Sequence, residues 1–172
     1  PTTPEPQAFA PVVVHNDQNA FAHIFERDAQ IALIKSAITA AQESEFRDRF
    51  HGVLYGPPGC GKTEILRAVK TEHGAEAVLE FDATSTTKAG AERVLLESLQ
   101  QPQILLVEEI EKTDENSLRW LLGVLDHRAE IRKVNFRGTA VRDVKMLCLA
   151  TVNNIGLFKS LMSGALASRF AH

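Results

Sequence analysis

The 172-residue sequence predicts an α/β fold, a three-layer sandwich in which a mostly parallel sheet carries helices on both faces and a β-hairpin is inserted. Three observations predict it. Short apolar, β-rich runs alternate with helical patterns, the order that builds a parallel sheet. A glycine-rich turn, GPPGCGKT (56–63), stands where the first strand should pass into a helix. One segment, 129–144, breaks the alternation and reads as two β-runs around Arg-Gly.

Residues 1–19 form a Pro-rich leader expected to be flexible or extended, and a single domain is expected over 20–172. From 28 to 42, Ile31, Ile34, Ala37, Ile38 and Ala41 share one helical stripe. SEFRDRF (44–50) reads as a charged turn or short helix, and HGVLYG (51–56) as a strand buried on both faces. A helix over 62–73, a strand over 77–81, the polar loop DATSTTKAG and a helix over 89–100 follow. ILLV (104–107) is the next strand. A helix over 114–126, with Leu118, Leu121, Leu122 and Leu125 on one side, is expected to be capped by Thr113 or Asp114. MLCLAT (146–151) completes the strands, and GLFKSLM (156–162) is a last short helix.

Composition excludes several classes. With 44% hydrophobic and 24% charged residues the chain suits an ordinary globular domain, and its net charge of −3 gives no overall basic field for nucleic acid. Cys60 and Cys148 are far apart and outside any C-x-x-C pair, which argues against a disulfide framework or zinc site and for a reducing, cytoplasmic setting. No apolar run reaches the length of a membrane span, so no membrane partner is expected.

YGPPGCGKTE fits the phosphate-binding pattern G-x-x-x-x-G-K-S/T and sits between a predicted strand and a predicted helix, so a P-loop NTPase-type sandwich is expected. Gly56, Gly59 and Gly61 allow a tight backbone whose N–H groups face an anion, and the helix opening at Lys62 adds its own unpaired N–H groups. Lys62 would bridge the β- and γ-phosphates and the Thr63 hydroxyl would join a Mg²⁺ shell. Cys60 reads as a small spacer. The expected ATP-binding run is Gly56, Pro57, Pro58, Gly59, Cys60, Gly61, Lys62, Thr63 and Glu64. Given this loop, the strand that ends in Glu108 and Glu109 becomes the other half of a Mg–ATP site, one acid for the metal and the other for the attacking water.

Together these segments resemble the AAA+ ATPases. GPPGCGKT resembles that family's Walker A motif, ILLVEEIEK its Walker B motif, CLATVNN its sensor-1 strand, ALASRF its arginine-finger segment, and AFAHIFERDAQIALI the segment bordering the adenine. The resemblance implies ATP and Mg²⁺ as cofactors and self-association into a six-membered ring. By position it makes Thr63 and Glu108 the metal residues, Glu109 the residue that polarises water, and Asn153 (or its neighbour Asn154) the one that holds the water or γ-phosphate. Arg169 would reach into the next subunit's site, and Ile24 and Phe25 would line the adenine pocket. Three departures stand out. Glu108 replaces the usual Asp, Glu26 replaces an expected Gly, and the family's last strand and helical lid are not found before His172, so the domain is expected to be a truncated core.

The hairpin resembles the pre-sensor-1 insertion of one branch of the family, which includes RuvB, the MCM helicases, ClpX and the MoxR chaperones. Arg128, Arg132, Lys133, Arg137, Arg142 and Lys145 face only Glu130 and Asp143 there, a local basic projection suited to phosphate contacts, with Arg132, Lys133 and Arg137 the candidate DNA contacts. A ring-forming DNA translocase or helicase is therefore expected. The alternatives are a protein-remodelling ATPase, against which the absence of an aromatic after Asp82 in DATSTTKAG speaks, and a nucleotide-dependent scaffold with slow hydrolysis.

Overall fold

The computed structural model describes residues 19–97, 102–135, 138–161, 166 and 168–170, with backbone alone at 133–135, 138, 140 and 161. The expected leader, apart from Asn19, falls outside these residues, as do Arg137 and the Lys133 side chain.

Four parallel strands pair in the order β1 (Gly52–Tyr55), β6 (Leu147–Val152), β3 (Ile104–Glu108), β2 (Val78–Asp82). The two central strands are the ones whose sequences are apolar on both faces. Alternation along them divides the core in two. Ile104, Leu106, Leu147 and Leu149 pack with Ile31, Ile34 and Ile38 of α1 (Asp28–Glu43) and Ile65, Leu66 and Val69 of α2 (Lys62–His73). Leu105, Val107, Cys148 and Ala150 face the opposite way, onto α3 (Lys88–Glu97), α4 (Arg119–Leu125) and Phe158 of α5 (Ile155–Leu161). Each fully buried Leu, Ile, Val or Phe among them contributes about 1.5–3 kcal/mol of transfer free energy. The resulting three layers aim the carboxyl ends of all four strands at one edge, where ligands bind in sheets of this kind.

The hairpin forms a separate antiparallel pair, β4 (Glu130–Asn135) with β5 (Gly138–Asp143). Its root is held by buried Ala129, Ile131 and Val144, and by the Val144 N–H donating to the Ala129 carbonyl at 2.6 Å. Gly123 of α4 lets the root come this close, since a Cβ there would meet the Glu130 carbonyl oxygen at 2.7 Å.

Several expectations need correction. The helix predicted over 114–126 begins at Arg119, with Leu118 at the N-cap and no side-chain cap. Asp114 instead closes a turn, accepting the Ser117 N–H at 3.1 Å and its hydroxyl at 2.7 Å, after a 3-10 turn at Ile110–Lys112. Residues 44–48 take the turn alternative of that reading, with the Ser44 hydroxyl accepting the Asp48 N–H. β2 and β3 each run one residue further than read, which takes Asp82 and Glu108 into the sheet in register. Glu26, where the family pattern has Gly, adopts φ 57°, a left-handed conformation that glycine tolerates best. Among the described residues no helix is long and apolar enough to cross a membrane.

Candidate active site

The phosphate loop leaves the sheet directly. Tyr55 ends β1 beside Val152, and the Gly56 N–H donates to the Val152 carbonyl at 3.2 Å. Gly59 and Gly61 have φ of 78° and 87°, which a side chain would strain, and Gly61 is the N-cap of α2 without a side-chain cap. The first-turn N–H groups of α2 thus have no side-chain oxygen competing for an anion. Lys62 is buried, and its Nζ donates to the Gly56 and Pro57 carbonyls at 2.8 and 2.9 Å, with Cys60 Sγ at 3.6 Å. The loop therefore closes around its own ammonium, and a phosphate would compete with these carbonyls for it. Pro58 is exposed on the loop, while Glu64 turns to Arg67 at 2.6 Å and His23 at 3.7 Å.

Across from the loop, Thr63 Oγ1 lies 3.5 Å from Glu108 Oε2, so the loop hydroxyl and the acid at the tip of β3 meet. Burial first, and then the nearby Glu80 charge, push the Glu108 carboxyl above its ordinary range. A divalent cation would reverse that shift. Two oxygen donors at this separation suit Mg²⁺, which takes one or two protein oxygens and fills its shell with water and phosphate. Among the described residues no group of three or more His, Cys, Asp or Glu is placed to hold a metal.

Glu109 sits just past the strand in a left-handed conformation, φ 51°, which is uncommon for a residue with a side chain and frequent at functional sites. Its N–H donates to Thr151 Oγ1 at 2.9 Å. One carboxylate oxygen accepts Asn153 Nδ2 at 3.0 Å and the other Lys112 Nζ at 2.6 Å. The Lys112 hydrogen bond, then that of Asn153, hold Glu109 below the usual carboxylate range. The Asn153 N–H in turn donates to Glu111 Oε1 at 2.7 Å. Asn154, the alternative candidate, caps α5 by accepting the Leu157 N–H at 2.9 Å.

Sequence reasoning missed Glu111, Thr151 and Lys112. Thr151 carried a signal, a hydroxyl inside an otherwise apolar buried strand. Glu111 and Lys112 did not, because a Glu-Lys pair after an acidic strand tip looks like solvated surface, yet Glu111 is only 3% exposed.

Other expected site residues lie apart from this cluster. Ile24 and Phe25 line a cleft of about 490 Å³ with Phe21, Ile31 and Lys35, and none of residues 56–64 lines it. Phe25 is exposed, and Phe21 is the aromatic that enters the core. Arg169 pairs with Asp126 at 3.0 Å. In the hairpin, Arg128 and Arg132 are exposed, whereas Arg142 folds back to donate to the Leu96 carbonyl at 3.3 Å, so the basic projection is smaller than its composition suggested.

Comparison with known proteins bears on the fold and the family. The RuvB subunit of the Holliday junction branch migration complex from Ligilactobacillus salivarius is 29% identical over 106 residues, covering 59% of this chain and 31% of the relative. That from Chloroflexus aurantiacus is 32% identical over 80 residues, covering 46% and 22%. The chain thus spans less than a third of these relatives. The Thermotoga maritima RuvB branch migration motor superposes with TM-score 0.55 at 20% identity over 84% of this chain and 43% of that one, a likeness of fold. The model of the ATPase family associated with various cellular activities (AAA) matches residues 53–171, and the chain belongs to that family of ATPases.

Proposed function

We propose that this domain binds and hydrolyses ATP as the core of a ring-forming motor that acts on DNA. The observation that carries the reading is the approach of Thr63 to Glu108, beside the bond between Asn153 and Glu109. Backbone N–H groups of the loop and the start of α2 hold the phosphates, and Lys62 exchanges its carbonyl partners for phosphate oxygens. Thr63 and Glu108 would hold Mg²⁺, which would supply positive charge against that developing on the phosphates. Glu109, kept ionised by Lys112 and Asn153, polarises the attacking water. Asn153 fixes the carboxylate's direction. Arg169 serves the site of the adjoining subunit.

The DNA reading is supported by exposed Arg128 and Arg132 on a hairpin that stands outside the main sheet, and by the likeness to RuvB. Its test is DNA binding by the full-length protein across a salt series, with ATP turnover measured with and without duplex. Binding should weaken steeply with salt, and Arg132→Ala should lower the slope by about one unit. Affinity without a salt slope, together with turnover indifferent to DNA, would redirect the proposal to a protein substrate.

A further inference from the structure

Asp126 follows α4 and leads into the hairpin, and it is fixed from several sides. Its N–H donates to the Leu122 carbonyl at 2.9 Å, and its own carbonyl accepts Arg49 Nη2 at 2.7 Å. Its Oδ1 accepts the Arg128 N–H at 3.1 Å. The other carboxylate oxygen meets Arg169 Nη2 at 3.0 Å. The backbone around Arg169 is equally constrained. Leu166 and Phe170 are buried on either side, Phe170 packs edge-on to Phe158 at 6.1 Å between ring centres, and the Arg169 N–H donates to the Leu166 carbonyl at 3.2 Å. Between these anchors the two charged side chains remain about one-third exposed, at 33% and 31%.

We propose that Asp126 is a positioning residue that presents Arg169 to the adjoining subunit's nucleotide, an inference that rests on the reading of Arg169 as a finger acting in trans. A long flexible arginine loses much rotational freedom when it must reach one point in a neighbour's site, and a fixed carboxylate removes part of that freedom beforehand. The pair is exposed enough to be weak, so it orients the guanidinium without locking it, and a phosphate's greater charge can draw it away. The Arg128 N–H on Oδ1 keeps the carboxylate in place once Arg169 leaves, and Arg49 on the backbone carbonyl keeps the residue itself there.

The test uses rings of the full-length protein. Asp126→Asn retains an oxygen for the Arg128 N–H but loses the ion pair. We expect its kcat to fall about ten- to a hundredfold, a fraction of the loss of an entire finger, with KM for ATP unchanged. Mixing these subunits with Lys62→Ala subunits should restore turnover, because an intact phosphate loop then meets an intact Asp126–Arg169 pair next door. Arg169→Ala mixed with Lys62→Ala serves as the control and should recover in the same way. Recovery in the control alongside full activity of the unmixed Asp126→Asn ring would refute the positioning role while leaving the finger intact. A defect that mixing with Lys62→Ala does not restore, in spite of control recovery, would mark a local structural fault and also refute it. If the control itself fails, the finger reading falls, and the inference with it.

Discussion

The tips of β3 and β6 are joined within one chain by three hydrogen bonds, Glu109 to Thr151, Asn153 to Glu109 and Asn153 to Glu111, whereas the hairpin and the Arg169 segment meet the body through side chains at their roots. The first region lies at the end of the two most buried strands, and its geometry is set before any ligand arrives. The second carries exposed cations on elements at the rim. Chemistry that polarises a water molecule requires fixed distances, while a surface that meets a neighbour or DNA requires reach. The molecule keeps these two demands apart.

Substitutions can break this division, most strongly at the phosphate loop. Lys62→Ala should weaken ATP binding about a hundredfold or more, since charge-assisted hydrogen bonds contribute roughly 1.5–3 kcal/mol each. Titration calorimetry reads it, and unchanged affinity would remove the loop assignment. Glu109→Gln should leave ATP affinity near wild type and cut turnover by about 10²–10⁴-fold. Normal single-turnover rates in that variant would place the base elsewhere.

A subtler pair of changes sharpens the contrast. Glu111→Ala leaves the Asn153 N–H without its acceptor, at a cost of about 1–3 kcal/mol in stability and a turnover drop of roughly tenfold. Glu111→Gln keeps an acceptor and should retain most of the rate. Equal loss in both variants, read by chemical denaturation and steady-state kinetics, would show that the charge matters rather than the hydrogen bond.

How much of this was legible beforehand follows from what each feature depends on. The central strands declared themselves because burial on both faces demands unbroken apolar runs, and the loop because tight backbone geometry demands glycine. The start of α4 did not. Thr113 and Asp114 looked like caps, but the chain first had to turn sharply after Glu109, and Asp114 serves that turn. The hairpin was legible from two β-runs around Arg-Gly, yet its charge was overcounted, since composition cannot say that Arg142 bends back onto α3. Buried Glu111 was invisible for the same reason. Its partner is a backbone N–H 42 residues away.

A last prediction concerns stability. His51 is buried, with Nδ1 accepting the Cys148 N–H at 3.1 Å, and burial followed by the Arg49 charge lowers its pKa to about 4. An unfolded histidine near 6.5 takes up a proton first as pH falls, so the folded state loses stability between about 6.5 and 4, by up to roughly 3 kcal/mol. Denaturant midpoints should fall across that window, and His51→Gln should flatten the slope. An identical slope in the variant would assign the acid sensitivity to other groups.

The convergence of the loop and the strand tip on one Mg–ATP is tested most directly by a double-mutant cycle on the Mg²⁺ enhancement of binding of a non-hydrolysable ATP analogue. Thr63→Ala and Glu108→Gln should each reduce that enhancement, and the double variant should lose little more than either alone, because both act through the same ion. Additive losses, or an enhancement that survives both substitutions, would contradict the account.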